Sequence, residues 1–260
     1  VCSSDLLENL TAEHKHGDIV VAFVPDEEVG LRGAKALDLS RFAVDFAWTI
    51  DCCELGELVY ENFNAASAEI RFTGVTAHPM SAKGVLVNPV LMATDFMSHF
   101  DRQQTPEHTA GREGYVWFNG IHGDQNSTRL QANIRDFDLD SFNRRKQQIG
   151  EVAEKIAAQY PTARVEFTIS DTYSNISNAI GEDRRAIDLM FTAMESLGIT
   201  PKPTPMRGGT DGAALSAKGL LTPNFFTGAH NFHSKFEFLP LRAFEASYLT
   251  ALQLCLLAAV

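Results

Sequence analysis

Two short apolar runs, each followed at once by acid, constrain this chain more than any other feature in it. Asp18 to Val24 (DIVVAFV) is apolar after its first residue, rich in β-branched side chains, and bounded by Gly17 and Pro25. Phe46 to Ile50 (FAWTI) is the second run. Runs of this length and character suit strands buried on both faces, as in parallel sheets. Gly33 to Leu39 between them reads as a short helix, so the opening stretch follows α/β grammar. Pro25-Asp26-Glu27-Glu28 follows the first run and Asp51 ends the second. Open α/β sheets bind ligands outside the carboxyl ends of their strands, which is where this reading puts the acids.

From about Ala65 the pattern changes. Ala68 to Thr73 alternates like a half-buried strand, and Asn88 to Phe100 has helical spacing with Pro89 in its first turn. Tyr115 to Ile121 and Thr128 to Phe137 read as strands. Asp140 to Tyr160 is an amphipathic helix with Phe142, Ile149, Val152, Ile156 and Ala157 at helical spacing, and Arg164 to Ser170 is a further strand. The order strand–helix–strand–strand–helix–strand is the split βαβ, ferredoxin-like arrangement. After Asn178 the α/β grammar returns, with helices over 183–197, 211–218 and 241–259 and a short strand over 224–227. The expected organisation is a mixed-sheet α/β catalytic domain from residues 1–65 and 177–260, interrupted by an α+β lid over 66–176.

Two adjacent glutamates at a strand end repel each other unless a cation meets them. A metal resolves the conflict, with one carboxylate as ligand and the other as base for water; an acidic helix N-terminus is the alternative reading. The loop Gly228-Ala229-His230-Asn231-Phe232-His233 follows a third strand. His, Asp and Glu together suit zinc, with manganese or cobalt as substitutes. Arg207-Gly208-Gly209-Thr210-Asp211-Gly212 opens onto a helix and could hold a carboxylate through Arg207, or simply cap that helix through Thr210 or Asp211. His78 in Thr76-Ala77-His78-Pro79 and Arg135 in the inserted segment read as structural on the residues alone.

The formal net charge of −11 leaves no electrostatic footprint for nucleic acid, and no Lys/Arg cluster points to a membrane surface. The apolar run 251–260 is about half of a membrane span. Four cysteines (Cys2, Cys52, Cys53, Cys255) show no disulfide framework, which reads as a reducing, cytoplasmic setting. Adjacent Cys52 and Cys53 after Asp51 read as buried small thiols, with a metal or redox role as the alternative.

The order of these motifs matches a known pattern. PDEEVG, TID with GELVYENFNAA, TAHP with AKG, IRDFD, RGGTDGAALSAKGLLTPNFFTG and NFHSKFEF together resemble the peptidase T family of the aminoacylase/carboxypeptidase G zinc metallopeptidase superfamily. The likeness runs through all but the first few residues; ENFNAA and RGGTDGA are its specific parts, whereas the PDEE pair marks only the wider superfamily. The resemblance implies an aminopeptidase that releases the N-terminal residue from tripeptides through a metal-bridging water and two zinc ions per complete site. It implies that Glu27 is the general base, that Glu28 and His233 ligate one zinc, and that Asp51 ligates the other. His78 would stabilise the oxyanion, and Arg207 and Arg135 would hold the peptide's C-terminal carboxylate. The family also has an earlier His-x-Asp motif and a bridging Asp that nothing before Asp18 matches, so the expectation is a chain that starts inside a domain and by itself binds at most one loose metal. Cys52, Cys53, His230 and Phe236 depart from the family pattern. A related dipeptidase or N-acyl amino-acid amidohydrolase, and an inactive fragment or binding module for carboxylate-bearing peptides, are the competing readings. A homodimer is compatible with the sequence.

Overall fold

The computed structural model describes residues 2–11, 13–51 and 53–259; Cys52 lies outside them. In chain order the elements are helices α1 (Cys2–Asn9) and α2 (Arg32–Ala36), strands β1 (Thr49–Ile50), β2 (Glu57–Val59) and β3 (Asn64–Thr73), helix α3 (Pro89–Ser98), strands β4 (Tyr115–Gly123) and β5 (Ser127–Asp136), helix α4 (Leu139–Gln159), strand β6 (Arg164–Tyr173), helix α5 (Arg185–Ser196), strand β7 (Lys202–Pro203), helix α6 (Asp211–Ala217), strand β8 (Asn224–Phe225) and helix α7 (Leu241–Leu257). The chain divides into two compact units, residues 1–62 with 174–260, and 63–173. The division falls at 63–173 rather than 66–176 because β3 begins at Asn64 and β6 ends at Tyr173.

The second unit is a four-stranded antiparallel sheet in the order β4-β5-β3-β6. β3 and β5 pair without slip from Asn64↔Asp136 to Thr73↔Ser127. Strict alternation in β5 buries Thr128, Leu130, Ala132, Ile134 and Asp136 and leaves their neighbours half-exposed, the period-2 signature that fixes register. Of these, Leu130, Ala132 and Ile134 meet Phe142, Ile149, Val152 and Ile156 of α4 and Met92 and Phe96 of α3 in one core. Asn88 and Asp138 cap the two helices, accepting from the backbone N–H of Val90 and Ser141.

The first unit is held by a mixed sheet in the order β1-β8-β2-β7, with β1 parallel to β8, β8 antiparallel to β2 and β2 parallel to β7. Leu58, Val59, Phe225 and Phe226 form its centre and pack with Met190, Met194 and Leu254 of the flanking helices. Pro203 sits in the edge strand β7, where its missing N–H is harmless; Lys202 and Thr204 on either side donate to the carbonyls of Gly56 and Leu58. Two buried asparagines close this unit where the other is inserted. Asn175 Oδ1 accepts from the Asn62 N–H at 2.9 Å, and Asn62 Oδ1 accepts from the Ile176 N–H at 2.7 Å.

One expectation fails here. Asp18–Val24 is not a strand, and Val20 and Phe23 are 47% and 78% exposed. An apolar run becomes a strand only against a hydrogen-bonding edge, and no described strand pairs with it. The FAWTI run narrows to Thr49–Ile50 for the same reason, since only those two residues face β8. Among the described residues, no helix is long and apolar enough to cross a membrane.

Gly212 shows how tightly α6 is set against the sheet. A Cβ there would lie 2.3 Å from the Thr222 carbonyl oxygen and 3.1 Å from Thr49 Oγ1. Backbone cannot yield as a flexible side chain can, so Gly212→Ala is expected to cost about 1–3 kcal/mol. Urea unfolding of this variant beside the native chain checks it, and an unchanged midpoint would show that the start of α6 can shift freely.

Candidate active site

Glu27, Glu28, Asp51, Arg207, Asp211 and His233 all belong to the first unit. Glu27 and Glu28 lie in a compact turn between Pro25 and α2. It is closed by hydrogen bonds from Leu31 N–H to the Glu27 carbonyl at 3.0 Å and from Gly33 N–H to the Pro25 carbonyl at 3.1 Å. Asp51 follows β1 directly. Asn224 of the neighbouring strand fixes it, donating from Nδ2 to the Asp51 carbonyl at 2.7 Å while accepting from Thr49 Oγ1 at 2.9 Å. His233 lies in the loop that leaves β8. Its Nε2 is 3.1 Å from Glu28 Oε1, although the two are far apart in sequence and both side chains are largely exposed. The Glu237 carboxylate accepts from the His233 N–H at 3.0 Å and steadies the loop.

Asp211, which the sequence reading treated only as a capping residue, is the first residue of α6. Thr210 does the capping instead, accepting from Gly212 N–H at 3.2 Å. The Oδ1 atom of Asp211 is buried with no hydrogen-bond partner among the described residues. The sequence signal for it was its place at a helix start directly after a glycine-rich turn.

The electrostatics tie these groups together. Partial burial, then Asp51, Glu28 and Asp211, push the Glu27 carboxyl up to about 7, and His233 offsets only part of this. Burial and then Asp51 also raise Asp211. The backbone is strained at the same places. Asp26, Leu31, Cys53, Asn231 and His233 are non-glycine residues with φ between 58° and 70°. They fall in the loops that hold Glu27 and Glu28, follow Asp51, and carry His233. Left-handed backbone at such residues costs on the order of 1–3 kcal/mol and gathers at functional sites.

The residues fit a divalent cation in kind and in part of their arrangement. Glu28 and His233 meet as two ligands of one ion would, and a cation would relieve the repulsion around Glu27. Asp51 stands at a separate strand end. Among the described residues no group of three or more His, Cys, Asp or Glu side chains is close enough to enclose an ion. Arg207 is half-buried in the loop before α6, beside Gly208, whose carbonyl accepts from Asn62 Nδ2 at 3.4 Å. Cys53 is buried against the Asn224 amide, with its Sγ 3.9 Å from Nδ2.

His78 and Arg135 belong to the second unit. His78 is exposed and its Nδ1 accepts from the Met80 N–H at 3.2 Å, which leaves the proton of the neutral ring on Nε2. Arg135 donates from Nη1 to the carbonyls of Ala66 and Ile134 at 3.2 and 3.0 Å and lies over the Tyr173 ring at 5.5 Å.

Residues 60–164 match the family model described as a peptidase dimerisation domain, of the M20 type. The peptidase T-like protein of Yersinia pestis is 68% identical over 254 residues, 98% of this chain and 62% of its own length. Peptidase T of Caldanaerobacter subterraneus is 43% identical over 233 residues, 90% of this chain and 57% of its own. A tripeptidase from Staphylococcus aureus has the same fold, with a TM-score of 0.86 at 20% identity, covering 99% of this chain and 69% of its own. The mixed-sheet unit interrupted by a ferredoxin-like unit is the fold shared with that solved structure. Over most of its length the chain is similar in sequence to peptidase T and to peptidase T-like proteins. It spans about three-fifths of the length of these curated relatives.

The raised Glu27 carboxyl makes stability depend on pH. Its folded value of about 7 exceeds the ordinary 4.5, so the folded state holds the proton where the unfolded state has released it. Stability therefore falls as pH rises through that window. Chelator-treated protein should show a thermal midpoint that declines between about pH 5 and 7, and Glu27→Gln should flatten the decline. An equally steep decline in Glu27→Gln would assign the proton elsewhere.

Proposed function

We propose that this chain carries the working residues of a zinc-dependent aminopeptidase that releases the N-terminal residue from tripeptides. The observation that carries the reading is the meeting of Glu28 and His233 at 3.1 Å beside Glu27, a carboxyl pushed up to about 7 by partial burial and then by its acidic neighbours. The peptidase T relatives support the substrate class.

In this reading Glu28 and His233 hold one zinc and Asp51 the other, with cobalt or manganese as substitutes and any remaining ligands supplied from outside this set. Divalent ions bound there would acidify the attacking water and polarise the scissile carbonyl. Glu27 takes a proton from that water and returns it to the leaving amine. A carboxylate shifted towards neutrality suits a group that must do both. His78 donates from Nε2 to the developing oxyanion, an interaction of a kind worth about 3–4 kcal/mol in the transition state. Arg207 and Arg135 take the peptide's C-terminal carboxylate, which sets substrate length by charge. The catalytic part is residues 1–62 with 174–260, and the ferredoxin-like unit acts as a lid. The dimerisation-domain match supports a homodimer, and the cysteine pattern supports a cytoplasmic location.

Turnover of a tripeptide, a dipeptide and an N-acyl amino acid by the full-length protein, beside its zinc content, tests the reading. The tripeptide should be cleaved from its N-terminus fastest. Glu27→Gln should lower kcat by about a hundredfold to ten-thousandfold while zinc content holds. Near-native turnover in that variant would remove Glu27 from its role, and preference for the N-acyl amino acid would move the protein to the amidohydrolases.

A further inference from the structure

The loops that leave β1 and β8 carry Asp51 and His233, and a second histidine joins them. His230 Nδ1 lies 3.1 Å from Glu54 Oε1. Glu54 is three residues beyond Asp51 in one loop, and His230 three residues before His233 in the other. Both ends of this contact are built in. The His230 ring stacks on Phe238, with centroids 5.1 Å apart and planes at 23°. The two backbones form an antiparallel bridge, His230 N–H donating to the Phe238 carbonyl at 2.9 Å and Phe238 N–H to the His230 carbonyl at 3.2 Å. On the other side, Glu54 N–H donates to Glu57 Oε2 at 2.8 Å, which anchors the carboxylate-bearing residue to β2. A second tie between the same loops runs from Gly228 N–H to the Cys53 carbonyl at 3.0 Å.

We propose that Glu54 and His230 are a positioning pair for the metal centre, latching the Asp51 loop to the His233 loop. The inference rests on the metal reading of Glu28, His233 and Asp51 given above. Glu54 and His230 touch neither substrate nor ion. They act by fixing the distance between two loops whose residues Cys53, Asn231 and His233 sit in left-handed backbone that relaxes if the loops part. The Glu54 side chain is 61% exposed and that of His230 32% exposed. An exposed pair of this kind adds little to global stability. Its effect should therefore appear in ligand geometry and metal affinity rather than in the melting temperature.

The experiment measures zinc affinity of the full-length protein by competition with a chromophoric chelator, together with the thermal midpoint of the metal-free form. The variants are Glu54→Ala, Glu54→Gln, His230→Phe and the double Glu54→Ala/His230→Phe. His230→Phe keeps a ring to stack on Phe238, and Glu54→Gln keeps a polar oxygen in place of the carboxylate. We expect Glu54→Ala and His230→Phe each to weaken zinc binding about tenfold, the scale for residues that orient metal ligands from behind. The double variant should be no weaker than either single one, because the pair acts as a unit. Glu54→Gln should keep most of the affinity, and the metal-free midpoint should barely move. Unchanged zinc affinity in Glu54→Ala and His230→Phe, or losses that add in the double variant, would overturn the proposal. If His230→Phe does not fold, the contrast between Glu54→Ala and Glu54→Gln decides alone. A native protein that holds no zinc is a different failure, because it removes the metal reading itself and the positioning role with it.

Discussion

Carboxylates brought together in a partly buried place set the terms for the first unit. Glu28, Asp51 and Asp211 come from a turn, a strand end and a helix start, and each perturbs Glu27 in the same direction. His233 is the one group among those acting on Glu27 that opposes them. A fold gains nothing in stability from such an arrangement and needs strong constraints to keep it. Asn224 supplies one by gripping the Asp51 carbonyl from the next strand, and the close seat of Gly212 under Thr222 supplies another. The left-handed residues in the surrounding loops are the local cost of the turns that bring these side chains together. Rigid packing below and strain above are what preorganised chemistry asks of a scaffold.

The second unit obeys the opposite economy. Its ten-residue register between β3 and β5, alternating burial in β5 and capped helices agree at every level, so local preference and global fold reinforce each other. It sets Arg135 on a central strand with its guanidinium tied to two carbonyls, and His78 in an exposed turn with one ring nitrogen already engaged. Both residues are prepared by contacts inside their own unit.

How legible each part was follows from this difference. The strands and helices of the second unit could be read from periodicity because one face of each is buried and the other is not. The first unit was harder. Glu57–Val59 and Lys202–Pro203 are short strands with no periodic signal, defined by their partners alone. Asp18–Val24 has the composition of a buried strand and no partner, so hydrophobicity alone misled. In the site, Glu27, Glu28, Asp51 and His233 stood out because acids and histidines after apolar runs are costly without a purpose. Asp211 was hidden by a legitimate structural role for its neighbour Thr210. The Glu54–His230 contact was invisible because nothing in a linear sequence says which loops meet. Order along the chain, matched to a family, drew the site together more than any single motif did.

The reciprocal asparagine bonds at the junction have a consequence for how the chain reaches this structure. Asn62 and Asn175 are 113 residues apart, a separation that would make their meeting a slow search through open chain. The inserted unit removes that search. Its own sheet pairs Ala65 with Tyr173, so folding of residues 63–173 delivers the two asparagines to each other already close. In kinetic terms the long loop is short-circuited, and the two halves of the outer unit behave as though joined by a few residues. A chain interrupted in sequence is thus nearly continuous in the order in which its contacts can form.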